Sequence, residues 1–187
     1  IIVQVSDSRT VLFIVNEAYF FMTHRIPVAR ELAQLGCDVH VAVPADHVWA
    51  PDTFSIDEIE QAGFQLHTIP LSRRGKNIFK DAWTFVSIFW MILNLRPDVV
   101  HLFTIKPVIY GGLAARLAGV KSVVSTITGL GHMFVARGLL TGIQRAGIVL
   151  LYRLATGHRN SLVIVQNRGD AEILVEAGAV ASEKIRL

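Results

Sequence analysis

The chain has 187 residues, 52% hydrophobic and 18% charged, which excludes a disordered tail, a coiled coil and a collagen-like chain and leaves one ordinary domain or two very small ones. Its formal net charge of +3 hides an asymmetry: no Asp or Glu occurs from Val99 to Gly169, a stretch that holds Lys106, Arg116, Lys121, Arg145 and Arg153 among its basic residues. One cysteine, Cys37, excludes an internal disulfide and a cysteine metal cage, and the lack of disulfides fits a reducing compartment.

Val11–Val15 is a continuous apolar run of β-formers, as expected of a strand buried on both faces. Helical spacing follows at Ile26, Ala29, Leu32 and Ala33, ending at Gly36. Val39–Val43 is a second strand. Ser55 and Glu58 have capping-box spacing and open a short helix that stops at Gly63. Phe64–Ile69 is a third strand, and Ser72–Asn77 a polar, basic loop. A long helix runs from Asn77 or Lys80 to Leu95, before Pro97. Its most apolar part, Ala82–Leu95, is shorter than the roughly 20 residues a bilayer span needs, so no segment is expected to cross a membrane.

The second half repeats the rhythm. Asp98–Leu102, Ser122–Thr126 and Leu162–Val165 read as strands; Pro107–Ala118, Gly138 or Leu139 to Thr156, and Gly169–Ala177 read as helices. Glu183–Leu187 begins another strand. Apolar strands alternating with helices predict an α/β fold: a single Rossmann-like, doubly wound, mostly parallel sheet of six or seven strands. Ligands of such sheets bind beyond the carboxyl ends of the strands.

Several chemistries lack their motifs. No G-x-G-x-x-G follows the first strand and no G-x-x-x-x-G-K-[ST] exists, so dinucleotide and P-loop sites are disfavoured. The seven histidines form no H-x-x-x-H or H-E-x-x-H pattern, so no metal is expected. His101, inside a strand, reads as a core histidine with a hydrogen-bonded ring. No G-x-S-x-G elbow supports a hydrolase.

The positions that remain each carry two readings. His24 and Arg25, near the start of the first helix, either face an anion or are a packing residue and a solvated charge. Lys106, just before a helix, is either a phosphate ligand or an exposed lysine. The turn Thr126–His132 either brings backbone N–H groups and the Thr126 and Thr128 hydroxyls to a ligand or is an ordinary βα turn. The two apolar helices are either core helices or, with the basic half, a surface suited to anionic lipid. Nucleic acid ranks low, because aromatics do not interleave with the basic residues there.

Six segments in order resemble the N-terminal half of family 4 glycosyltransferases of the GT-B fold, in the branch that builds bacterial surface polysaccharides on lipid carriers. They are Phe13–Arg25, Leu71–Gly75, Arg96–His101, Lys106–Arg116, Thr126–Gly131 and Val165–Asn167, and the likeness runs from about Val11 to Leu187. The resemblance implies an acceptor-binding domain spanning 1–187, with the C-terminal donor-binding domain absent. It implies a whole enzyme of hexosyltransferase type, which moves a sugar from a nucleotide-sugar to a lipid-linked or saccharide acceptor. It implies no metal or cofactor, a cytoplasmic location or a peripheral one on the inner membrane, and a domain inactive alone. On this basis Asn16, Arg25, Lys106, Thr128, Gly129 and Gly131 bind substrate, and His24 and His132 are candidate catalytic groups. The sequence departs from many relatives at two points. Asn16–Glu17 stands where they carry Gly-Gly, and His132 comes several residues after their usual histidine. The alternatives are a non-catalytic acceptor- or membrane-binding subunit that partners a donor-binding chain, and a sugar-nucleotide epimerase half.

Overall fold

The computed structural model describes residues 8–45, 50–51, 54–72, 77–129 and 139–187. Seven strands, β1 (Thr10–Ile14), β2 (Asp38–Pro44), β3 (Gln65–Ile69), β4 (Val99–Phe103), β5 (Ser122–Ile127), β6 (Ser161–Val165) and β7 (Ile185–Arg186), pair in the order β3-β2-β1-β4-β5-β6-β7. Every pairing is parallel. The described helices are α1 (Ala18–His24), α2 (Ile26–Gln34), α3 (Glu58–Gln61), α4 (Ile78–Leu95), α5 (Ile105–Leu117), α6 (Leu139–Thr156) and α7 (Arg168–Glu176). A 3-10 turn, Ser182–Lys184, precedes β7 and shortens the strand expected at the end of the chain.

Side-chain alternation sorts the core into two layers. Val11, Phe13, Val15, Val39, Val41 and Val43 pack with α1, α2 and α3 on one face. Leu12, Ile14, Ala42, Val100 and Leu102 pack with α4, α5, α6 and α7 on the other. Each fully buried side chain of this size contributes about 1.5–3 kcal/mol relative to exposure. The apolar runs need no polar alternation because helices cover both faces.

Packing on the second face depends on a close approach. A Cβ on Gly111 would strike the Leu102 side chain, and one on Gly112 would lie 2.9 Å from the Ala155 Cβ and 3.0 Å from its carbonyl oxygen. Two small residues therefore let α5 sit against both β4 and α6. At its far end, the helix terminates at Gly119, whose φ of +70° lets the Val120 N–H reach back to the Ala115 carbonyl at 3.0 Å.

The first connection differs from expectation. The segment between β1 and the helix at Ile26 is itself helical, as α1. Pro27 lacks an N–H and its ring would clash with the carbonyl four residues back, so α1 and α2 are separate helices joined at Arg25. His24 and Arg25 therefore lie at the end of α1, not at the start of the first helix. That end of a helix dipole favours cations rather than anions. Similarly, α5 begins two residues earlier than its proline suggested, which places Lys106 inside the first turn.

Order β3-β2-β1-β4 means that the chain winds outward from β1 to β3, then crosses back to pair β4 with β1. The crevice of a doubly wound sheet opens where the winding reverses, here between the carboxyl ends of β1 and β4.

Candidate functional site

Two adjoining cavities occupy that crevice. The larger, about 260 Å³, is lined by Asn16, Glu17, Tyr19, Phe20, Thr23, His24, Thr104 and Thr128. The smaller, about 200 Å³, is lined by Asn16, Leu71, Thr104, Ile105 and Lys106. Asn16 and Thr104 belong to both. The sheet order therefore brings Asn16, His24, Lys106 and Thr128 together from segments spread over most of the chain. Gly129 follows Thr128 with φ +119°, a conformation that favours glycine. Gly131 and His132, together with Arg73–Lys76 of the basic loop, lie outside the described residues.

Arg25 lies behind this wall rather than in the cavity lining. Its guanidinium carbon is 5.0 Å from the Phe20 ring centre and 4.7 Å from that of Phe103, between two aromatic faces. Its Nε is buried without a hydrogen-bond partner among the described residues. Burial lowers its pKa, yet a guanidinium keeps its charge at any physiological pH.

The stack continues into the core. Phe103 stacks on Phe13 at 5.9 Å, and His101 tilts against Phe103 at 4.1 Å. Its Nε2 lies 2.9 Å from the Thr126 hydroxyl. Burial pushes its pKa down to about 3, with the Arg25 charge adding to the effect. His101 is thus a neutral core histidine, as its strand position indicated. Its partner is the finding: Thr126, expected to offer a hydroxyl to ligand, is buried and bonded to His101 instead.

His24 is exposed and stacked on Phe20 at 4.7 Å. The Thr23 hydroxyl donates to the Tyr19 carbonyl at 2.9 Å, so it accepts at its other contact, 2.6 Å from the His24 Nδ1. That arrangement favours the tautomer with the proton on Nδ1, in which Nε2 is an acceptor. The other described histidines have structural partners. His40 and His67 bond each other at 2.8 Å on β2 and β3, and His158 holds the Val120 carbonyl at 2.8 Å. Among the described residues no three His, Cys, Asp or Glu side chains gather as metal ligands would.

Lys106 is half-buried. Its Nζ lies 2.8 Å from the Asp81 carboxylate of α4, which also accepts from Tyr110 one turn further along α5. Burial, then Asp81, raises the Tyr110 pKa to about 12, so the phenol stays protonated. The three groups fasten α4 to α5 and hold the ammonium at the cavity wall.

Two site residues were not anticipated. Glu17 is the one carboxylate among the described residues lining the crevice, and it is 3% exposed. A carboxylate two residues after the apolar run Val11–Val15 is a signal that could have been read, because the strand end delivers it to the crevice. Thr104 has φ +70° and ψ 172°, a region that β-branched residues avoid. It heads α5 without a side-chain cap, so the first N–H groups of that helix open beside the cavity. Nothing in the sequence around Phe103–Lys106 announces that geometry.

Comparison with known proteins follows this architecture. Residues 10–167 match the profile of the family described as glycosyl transferase 4-like. An N,N'-diacetylbacillosaminyl-diphospho-undecaprenol alpha-1,3-N-acetylgalactosaminyltransferase of Campylobacter jejuni is 24% identical over 154 residues, 82% of this chain and 39% of the relative. A UDP-Gal:alpha-D-GlcNAc-diphosphoundecaprenol alpha-1,3-galactosyltransferase of Escherichia coli is 34% identical over 79 residues, 42% of this chain and 19% of the relative. The chain thus spans well under half the length of these two relatives. Among solved structures, a UDP-N-acetylglucosamine 2-epimerase superposes with a TM-score of 0.64 at 15% identity, covering 96% of this chain and 47% of that one, a likeness of fold alone. Strand order, crevice and a profile match across most of the sequence agree: the chain belongs to the glycosyl transferase 4-like family.

Proposed function

We propose that this chain is the acceptor-side domain of a glycosyltransferase. The enzyme moves a hexose-type sugar from a nucleotide-sugar to a polyprenyl-diphosphate-linked acceptor, in synthesis of a bacterial surface polysaccharide. The donor's nucleotide is held by a second domain, and the work is done at the cytoplasmic face of the membrane. The names of the two relatives support a diphosphate-linked lipid as the acceptor class.

The observation that carries the reading is the convergence on the β1–β4 crevice of Lys106, the uncapped end of α5 and, behind Phe20, the Arg25 guanidinium. Positive groups held in place by packing stabilise a diphosphate without a metal. In this reading Lys106 and the α5 N–H groups take the acceptor diphosphate, and Arg25 sets the positive field behind them. Asn16, Thr128 and the Gly129–Gly131 turn bind the sugar nearest the diphosphate. The His24 Nε2 and Glu17 face that sugar's hydroxyls as candidate proton acceptors, and His132 is kept as a third.

The test is direct binding. A short-chain polyprenyl-diphosphate sugar is titrated into the chain, with the matching polyprenol as control. Binding of the diphosphate compound, weakened in Lys106→Ala, supports the reading. Equal affinity for the alcohol, or a Lys106→Ala variant that binds as tightly as the parent, sinks it.

A further inference from the structure

Helix α4 is covered on one side only. Thr84, Ile88 and Ile92 lie against the sheet, but only 17% of the helix is buried. Phe79, Trp83, Val86 and Trp90 form the opposite side, at spacings of four, three and four residues that align them along the helix. Phe79 is 83% exposed, Trp83 62% and Trp90 58%. A contiguous apolar line of this size on a folded surface marks an interaction site.

The charges around it select the partner. Of the four helices on this face, α4, α5 and α6 hold a single acidic residue, Asp81, and it is paired with Lys106; the acids of α7, Asp170, Glu172 and Glu176, lie on the helix that packs on β6, away from α4. Lys80 and Arg96 flank the stripe at its two ends, both exposed. Arg116 and Arg153 lie on the neighbouring helices. Two tryptophans and a phenylalanine with basic flanks, on a helix whose one carboxylate is paired and whose neighbour α5 has none, suit the boundary between lipid headgroups and acyl chains. A protein partner would demand a complementary acidic rim instead.

The helix is also apolar enough in length and composition to span a bilayer, with a mean hydropathy of 1.3 over its 18 residues. Spanning would tear Thr84, Ile88 and Ile92 from the sheet. A helix anchored on one side can only lie in the interface, its free side buried roughly 5–10 Å deep.

We propose that α4 docks the domain on an anionic bilayer surface through Phe79, Trp83, Val86 and Trp90. Because α4 follows β3, its Phe79 end sits at the carboxyl edge of the sheet, where Asp81 is joined to Lys106 at the cavity wall. The docked domain therefore presents the mouth of its crevice close to the headgroups. The proposal rests on the acceptor reading for its purpose, since a lipid-linked diphosphate would reach the crevice from that side.

Vesicles that contain no acceptor test the surface independently. The chain is sedimented with vesicles of phosphatidylcholine holding a third phosphatidylglycerol, and with phosphatidylcholine alone. Binding should favour the anionic vesicles and weaken as salt rises. The double variant W83S/W90S should partition about tenfold more weakly or worse, with unchanged circular dichroism and thermal midpoint because both side chains are exposed. Equal partitioning of parent and double variant overturns the proposal. So does a parent that is a dimer in solution and becomes monomeric in the double variant without ever binding vesicles. Loss of diphosphate binding with vesicle binding intact would count against the acceptor reading and leave the docking surface standing.

Discussion

Helices α4 and α5 both follow a strand at the carboxyl edge of the sheet, yet they begin in opposite ways. The first turn of α4 is closed: the Asn77 side chain accepts from the Phe79 and Lys80 N–H groups at 3.1 and 3.2 Å. The first turn of α5 is open: Thr104 makes no capping bond and holds a left-handed φ. Asn167 closes α7 in the first manner, accepting from the Asp170 N–H at 2.8 Å. The starts of α1, α2 and α3 also lack a side-chain cap, but the start of α5 is the one that carries Lys106, where an anion would complete it.

The sharpest way to break this contrast is to remove the positive field on one side of it. Lys106→Ala should weaken binding of a polyprenyl-diphosphate compound on the order of 30-fold to 100-fold, the loss expected for a charge-assisted contact in a partly enclosed site. Arg25→Ala should weaken it further than its distance alone suggests, because its loss also unstacks Phe20 from the cavity wall. Asn77→Ala should leave that affinity unchanged. Calorimetric titration of the three variants decides it: equal losses at Asn77 and Lys106 would mean that the open end of α5 is not special.

Next in size is the packing that places α5. Gly112→Ala should cost about 1–3 kcal/mol in denaturant unfolding, because the Ala155 backbone cannot yield. Gly111→Ala should cost less, since its obstacle is the end of the Leu102 side chain. If both changes are neutral, α5 is not held by close approach and its open turn is not fixed in place.

A third measurement concerns acid. The folded pKa of His101 is depressed to about 3, from an ordinary value of 6.5. The unfolded chain then takes up the proton first. The stabilisation is complete above about pH 6.5 and is lost as pH falls toward 3, by roughly 2 kcal/mol at pH 5. Unfolding free energies at pH 7.5 and pH 5 should therefore differ, and His101→Gln should remove much of the difference while keeping a partner for Thr126. An unchanged pH dependence in that variant would remove His101 as its source. The open site would then rest on a floor other than this neutral stack.

The sheet was legible because a doubly wound fold writes its strands as short apolar runs: Val11–Val15, Val39–Val43 and Leu162–Val165 were each found within a residue or two of their observed ends. The crevice was legible only as strand ends, since which ends meet depends on β1 pairing with β4 across some ninety residues. That pairing creates the Phe103–Arg25 contact, and it brings Thr104 beside Asn16. The Asp81–Lys106 pair likewise joins residues 25 apart, so Lys106 read as a lone cation. Helix α1 was missed for a local reason. Tyr19–Met22 carries no polar periodicity, its N-cap Glu17 makes no capping bond, and Pro27 drew the helix start to Ile26.

The smallest expected effects are also the closest comparison, because they alter the first residue of each helix start. Asn77→Ala removes a cap and should destabilise by about 1 kcal/mol. Thr104→Gly relieves a backbone strain of roughly 1–3 kcal/mol, offset by about 1 kcal/mol of added freedom in the unfolded chain, and should be neutral to mildly stabilising. Thermal unfolding should therefore move in opposite directions for the two variants, or move for Asn77 alone. The same Thr104→Gly change should loosen the α5 turn and weaken diphosphate binding, since strain retained at a ligand site holds its N–H groups in place before the ligand arrives. A Thr104→Gly variant that is less stable than its parent would show that the conformation is not strained. The contrast between the two helix starts would then be a matter of capping alone.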